Sequence, residues 1–199
     1  LNEFPTFVRY GEAVNIIQKV RNKTTLFMDN QVLPRRPFGI DSNAHLQNAG
    51  EIKVKSASGY GYLPKKALTV GTEIVDKYNV VMSKVSAEHA GQPDKNGQSK
   101  VISVIEILNP GVACTETYLV IGSFDNEKYA QNLVTYMKSR FFRFLLQQSL
   151  YSQNIAKDRF QFVPIQDFSK SWTDEELFDK YRLTEEEVSF ILGMIKTME

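Results

Sequence analysis

The sequence predicts a mixed α/β, or α+β, fold: a mostly β central sheet packed on one long helix, with small helices at the N- and C-termini. Two observations carry this. Segments that alternate at period two or fill with β-branched residues recur near 52–56, 79–85, 101–108 and 116–121. A run from Glu127 to Leu146 instead repeats Ala130, Leu133, Val134, Met137, Phe141, Phe144 and Leu145 at three- and four-residue steps, an apolar stripe of helical period.

That helix also carries Asn132, Tyr136, Arg140, Arg143 and Gln147 at helical spacing, which predicts a polar surface bearing two guanidinium groups. Asp125 or Ser123 is the expected cap. Upstream, Phe4-Pro5 precedes a short helix in which Val14, Ile17 and Val20 face inward while Lys19, Arg21 and Lys23 stay wet. Between Leu33 and Gly39, two prolines and the pair Arg35-Arg36 read as a rigid extended segment with adjacent positive charges. The 52–56 strand places Lys53 and Lys55 on one side. Beyond it Ser56, Ser58, Gly59, Tyr60, Gly61 and Tyr62 combine a flexible backbone, hydroxyls and rings beside Lys65 and Lys66.

Residues 86–100 contain almost no hydrophobic side chain and read as an exposed, mobile loop. Asn109-Pro110-Gly111 is a turn. After the long helix, Gln153, Asn154, Lys157 and Arg159 mark another polar segment. Phe160–Phe168 reads as an apolar strap stopped by Pro164. Thr173 with Glu176, and Thr184 with Glu187, are capping boxes that start two short helices. The expected division is a body over residues 1–170 and an acidic helical hairpin over 171–199 packed on it.

The chain has 199 residues with 24 Lys plus Arg and 23 Asp plus Glu. Residues 174–199 hold eight acidic and three basic groups, leaving 21 basic and 15 acidic groups in residues 1–173. The body is therefore positive and the tail negative, a split that fits an anionic partner for the body. The single cysteine, Cys114, excludes an intrachain disulfide framework and fits a reducing, cytoplasmic compartment. No run of apolar residues reaches the length of a membrane span. A chain starting at Leu1 reads as a piece of a longer protein. Catalytic signals are thin: His45 and His89 have no second ligand at metal spacing, and a Cys114, His89 and Asp41 hydrolase lacks any recognisable local context. Binding is the expected role.

Seven blocks in order then carry a resemblance. They are Arg9-Tyr10 with Ala13-Val14, Pro37-Phe38-Gly39, Lys77-Tyr78, the run Cys114–Phe124, Lys138-Ser-Arg-Phe-Phe-Arg-Phe144, Phe162-Val-Pro-Ile-Gln-Asp-Phe168, and Trp172-Thr-Asp-Glu-Glu-Leu177. Together they resemble the C-terminal target-recognition region of bacterial adenine-specific DNA methyltransferases from type II and IIG restriction-modification systems, with TaqI-like specificity domains as broader relatives. The resemblance implies a domain that grips double-stranded DNA and selects its sequence. It also implies an N-terminal methyltransferase domain as partner, which binds S-adenosylmethionine and holds an Asn/Asp-Pro-Pro-Tyr motif. That motif is absent from this chain, so no cofactor is expected on it, and the resemblance leaves open a nuclease fused to the parent.

Joined to the residue pattern, this assigns phosphate contacts to Arg35, Arg36, Lys53, Lys55, Lys65, Arg140, Arg143, Lys157 and Arg159. Base-edge contacts fall to Ser58, Tyr60, Tyr62, Gln92, Asn96, Gln98, Gln153 and Asn154. The competing expectation is a protein-interaction module in which the acidic tail helices dock another subunit.

Overall fold

The alternating segment at 52–56 folds into the expected strand, whereas the stretch after it, read as flexible, forms a second strand paired with it. In the computed structural model, which describes residue 8 and residues 10–88 and 93–198, β1 (Ile52–Ser56) pairs antiparallel with β2 (Gly59–Leu63). Phe4, Pro5, Arg9, His89, Gln92 and Glu199 lie outside the described residues. The other strands are β3 (Tyr78–Ser83), β4 (Ile105–Leu108), β5 (Val112–Cys114) and β6 (Tyr118–Phe124).

The α+β class is as predicted, but its β part is not one central sheet. β2-β1-β5 and β4-β3-β6 form two three-stranded sheets. The break comes at the Asn109-Pro110-Gly111 turn, which sends the chain from β4 in one sheet to β5 in the other. Thr115–Thr117 returns it to β6, so the run beginning at Cys114 is two strands with a turn between them. The second sheet is the middle layer. Val80, Met82, Leu119 and Ile121 face a core shared with the helices, while Val81, Val120 and Leu108 pack with Val54, Ala113 and Cys114 of the first sheet. A bulge at Val80/Val81 leaves Ile121 as the extra residue of β6. Gly122 beside it is required by space, because a Cβ there meets Leu133 Cδ2 at 2.7 Å.

The predicted long helix is two helices. α2 (Glu127–Lys138) and α3 (Arg140–Gln147) meet at Ser139, whose extended backbone breaks the run. The Ser139 hydroxyl accepts from Phe142 N (3.1 Å) and donates to Tyr136 O (2.7 Å), so one residue ends α2 and caps α3. The Asp174 carboxylate completes the cap by accepting from Arg140 N (3.0 Å) and Phe141 N (2.9 Å). The cap of α2 is Asn126, not Asp125 or Ser123. α1 (Gly11–Lys23) buries Ala13, Ile16, Ile17 and Val20, and Val14 is only half-buried.

The expected solvated face of the long helix is interior. Asn132, Tyr136, Arg143 and Gln147 are all buried: the 160–168 strap meets the first two, and residues 99–100 and Lys196 meet the last two. Asn132 donates to Phe168 O (2.9 Å), Tyr136 to Pro164 O (2.7 Å), and Gln166 to Tyr181 Oη (2.9 Å). The polar side chains satisfy strap carbonyls that would otherwise be buried without partners. α4 (Asp174–Lys180) and α5 (Glu185–Met194) start at the two predicted capping boxes. They share the main core, where Phe141 stacks on Tyr181 at 5.1 Å between ring centroids.

Arg143 is the largest fully buried side chain described. Its Nε donates to Lys138 O (3.1 Å) and Ser139 O (3.2 Å), Nη1 to Lys100 O (3.1 Å), and Nη2 to Lys138 O (2.9 Å) and Lys196 O (2.7 Å). Desolvation pulls its pKa down to about 10, which leaves it charged at neutral pH. A phosphate role is thereby corrected to a structural one. The 86–100 loop is also better fixed than expected over its described part. The Asp94 carboxylate accepts from Asn96 N (2.9 Å), Gln98 N (3.0 Å) and Lys196 Nζ (2.5 Å), and Ser99 N donates to Met194 O (2.8 Å). Among the described residues no helix is long and apolar enough to cross a membrane.

Arg143→Ala removes the guanidinium donors from four interior carbonyl groups, two of which, Lys100 and Ser139, keep a backbone donor, and opens a cavity, so it is expected to destabilise the chain by about 3 kcal/mol or more. The thermal midpoint should fall by roughly 6–12 °C. Arg140→Ala, at a half-buried position, should shift it far less; equal shifts in a thermal melt contradict the role given to Arg143.

Candidate nucleic-acid interface

Segments distant in sequence meet around the turn at residues 115–117. Glu116 is nearly buried between two strands, a position in which an unpaired carboxylate is costly. It is paired several times over. Its Oε2 accepts from Arg35 Nε (2.6 Å) and Arg36 Nε (3.3 Å), and its Oε1 from Ser42 Oγ (3.3 Å). The hydrogen bond from Arg35 is the chief reason its carboxyl sits at about 2, below the usual carboxylate range.

The 33–40 segment is therefore a turn, not the rigid extended stretch expected. Arg36 has φ of 60° and also pairs with Asp41, while Gly39 has φ of 75° where any Cβ would run into the Thr69 side chain. Arg36 is thus neutralised on two sides. Arg35 differs: its side chain remains 70% exposed, with one nitrogen anchored on Glu116.

Beside Arg35 lies a cleft of about 320 Å³ that also contains Lys84, Asn154 and Lys157. Residues 84–86 and 153–155 run antiparallel here. Val85 bridges Asn154, Ile155 N donates to Lys84 O (2.6 Å), and Ser86 N donates to Gln153 O (2.9 Å). This pairing fixes the backbone of Asn154 while its side chain stays exposed. Three of the predicted residues, Arg35, Asn154 and Lys157, are brought together with one that sequence reasoning missed, Lys84.

A second group forms on the hairpin. Cross-strand pairs Lys53↔Tyr62 and Lys55↔Tyr60 put these four side chains on one face, opposite Ile52, Val54 and Gly61. Lys53 and Lys55 lie over the Tyr60 ring at 4.6 and 4.7 Å from its centroid. Lys55 is not free for a phosphate, because its ammonium is mostly covered and pairs with Glu106 at 2.9 Å. Tyr60 donates its hydroxyl to the same carboxylate, and burial with that bond raises its pKa. Glu106 of β4 thereby ties one sheet to the other. At the hairpin tip, Ser58 and Tyr60 line a polar hollow of about 300 Å³ with Ser42, Asn43 and His45. Ser42 touches both this hollow and Glu116, so the hairpin tip and the cleft form one continuous surface.

The remaining predicted residues are elsewhere. Lys65 is exposed on the turn after β2, with its backbone N held by Glu51 (2.9 Å). Arg140 is half-buried at the start of α3. Arg159 is withdrawn: its side chain is 11% exposed, stacks on Tyr151 at 3.6 Å and pairs with Asp158 at 3.3 Å. Asn96 is exposed and Gln98 half-buried on the Asp94 turn. Gln153 is exposed, and Tyr62 is half-buried with its backbone paired to Gln47. Cys114 is fully buried, and burial pushes its thiol pKa up, away from the thiolate that nucleophilic chemistry needs. Among the described residues no group of three His, Cys, Asp or Glu is placed to hold a metal.

Two signals were open to a closer reading of the sequence. An acid flanked by threonines in an otherwise apolar run, as Glu116 is, needs a cationic partner from elsewhere. Lys84 directly follows a core strand, where side chains emerge at the sheet end. No protein-family model, curated protein or solved structure matches the chain.

Glu116 generates a pH prediction. Its folded pKa is depressed, so the stability it contributes is present above the ordinary carboxylate range and is lost as pH falls toward about 2. Urea melts of the wild type and Glu116→Gln should differ at pH 6 and converge as the pH drops through that window. A gap that is independent of pH contradicts the pairing.

Proposed function

We propose that this chain is a DNA-binding sequence-specificity domain of an adenine-specific methyltransferase from a restriction-modification system. The observation that carries the nucleic-acid part is the cleft at which Arg35, Lys84 and Lys157 stand around the exposed amide of Asn154. Cations supply affinity for a phosphate backbone without regard to sequence, and an amide presents both a donor and an acceptor to a base edge. Lys53, Ser58 and the partly exposed Tyr60 extend the same surface toward the hairpin tip.

The methyltransferase part rests on the resemblance of the blocks at 114–124, 138–144, 162–168 and 172–177. Methyl transfer to adenine in a duplex requires the base to be turned out of the stack, so the reading divides the labour. This chain holds and selects the site, while a catalytic domain elsewhere in the parent protein binds S-adenosylmethionine and performs the transfer. The body's excess of positive charge agrees with that division, and its cytoplasmic setting follows from it.

Fluorescence anisotropy with duplex DNA across a salt series tests the reading. Log affinity should fall linearly with log salt, and Arg35→Ala and Lys157→Ala should each reduce the slope by about 1. Slopes unchanged in both variants, with the fold intact by circular dichroism, overturn the assignment of this surface.

A further inference from the structure

The cleft has more internal structure than a patch of positive charge. Its apolar lining is the exposed Ala156, with the edges of the core residues Leu119 of β6 and Ile155, 4% and 2% exposed, behind it. Its volume of about 320 Å³ lies at the small end of the range of about 300–1,000 Å³ spanned by ligand pockets. It therefore suits one small unit rather than a length of polymer. Arg35, Lys84 and Lys157 supply three cations against one carboxylate, and that carboxylate is already engaged by Arg35, Arg36 and Ser42. Asn154 is the single amide in the lining. Its backbone is pinned from both sides by the pairing with residues 84–86, so its side chain is presented from a fixed point.

An anionic head, a flat apolar body and an edge of hydrogen-bonding groups is the chemistry of a nucleotide. We propose that the cleft binds one nucleotide unit, its phosphate held by Arg35, Lys84 and Lys157, its base lying against the apolar lining at Ala156, and its base edge read by Asn154. This rests on the nucleic-acid reading above and narrows it to a single unit and a single reading residue. In duplex DNA such a unit is a base displaced from the stack. Two other exposed amides, Asn43 and Asn96, sit in different settings. Asn96 sits on a turn whose Asp94 carboxylate adds negative charge, and the hollow at the hairpin tip, where Asn43 lies, has no lysine or arginine among its lining residues.

The test is an NMR titration of the full chain with dAMP, dCMP, dGMP and dTMP, with deoxyribose 5-phosphate and inorganic phosphate as parallel arms, and duplex binding measured on the same protein. At least one nucleotide should bind about fivefold or more tightly than deoxyribose 5-phosphate. Asn154→Ala should erase the preference among bases while leaving sugar-phosphate binding in place, and Lys157→Ala should weaken every arm. Equal affinity for nucleotides and deoxyribose 5-phosphate marks an anion site only and overturns the proposal, as does a base preference that survives Asn154→Ala. Duplex binding without nucleotide binding overturns this pocket and leaves the DNA reading standing. Binding in no arm overturns both, whereas nucleotide binding without duplex binding sustains the pocket and overturns the duplex reading.

Discussion

The fold depends on one buried cation. Arg143 spends its whole guanidinium on backbone carbonyls from three places: the α2–α3 break at 138 and 139, the strand approach at 100, and the C-terminal segment at 196. Among the described residues no carboxylate hydrogen-bonds to it, although the charges of Asp174 and Glu88 favour its charged form, so the carbonyl oxygens replace its hydration shell. That requirement locks the geometry of all three segments together. The approach at 100 is unusual in its own right, since Val101 has φ of 70° and Ile102 N closes a three-residue turn on Lys100 O (2.9 Å). The same Lys100 carbonyl takes a bond from Arg143, so the guanidinium holds a strained turn at the entrance to β4.

From this anchor the route to the surface is short. α2 packs on the inner face of the β4-β3-β6 sheet with α3 beside it against α4 and α5, and the first sheet covers the outer face. With both faces buried, polar side chains of the middle layer emerge along its β4 edge, as Glu106 does, and at its ends. Glu116 and Lys84 emerge there. Glu116 draws in the 33–40 turn through Arg35 and Arg36, and the strand end at 84–86 draws in 153–155 by backbone pairing. The cleft is what remains between the two captured segments. Its cations come from three distant stretches of chain.

The sequence made the local features legible and the long-range ones opaque. Thr173 and Thr184 start their helices as the capping boxes require, and the 52–56 alternation marks β1 to the residue, because both signals are set by neighbours a few positions away. The α2–α3 break was hidden, since an apolar period continues across Ser139 and only the Asp174 carboxylate from another helix completes the cap. The helix's polar face misled for a related reason. Asn132, Tyr136 and Arg143 have the composition of a wet surface, yet their partners are carbonyls of a strap and a C-terminal segment that no local pattern brings close. Among the candidate site residues, Arg35, Asn154 and Lys157 were recognisable as polar groups in irregular segments. Their convergence depends on Glu116 and on the 84–86 pairing, which are tertiary facts.

The most direct measurement is a chemical-shift map of the chain on addition of duplex DNA. The account predicts shifts at residues 35, 84 and 153–157, continuing to the hairpin tip at 56–60, with α4 and α5 unchanged. A map in which DNA leaves the cleft residues unmoved, or moves only the C-terminal helices, contradicts it.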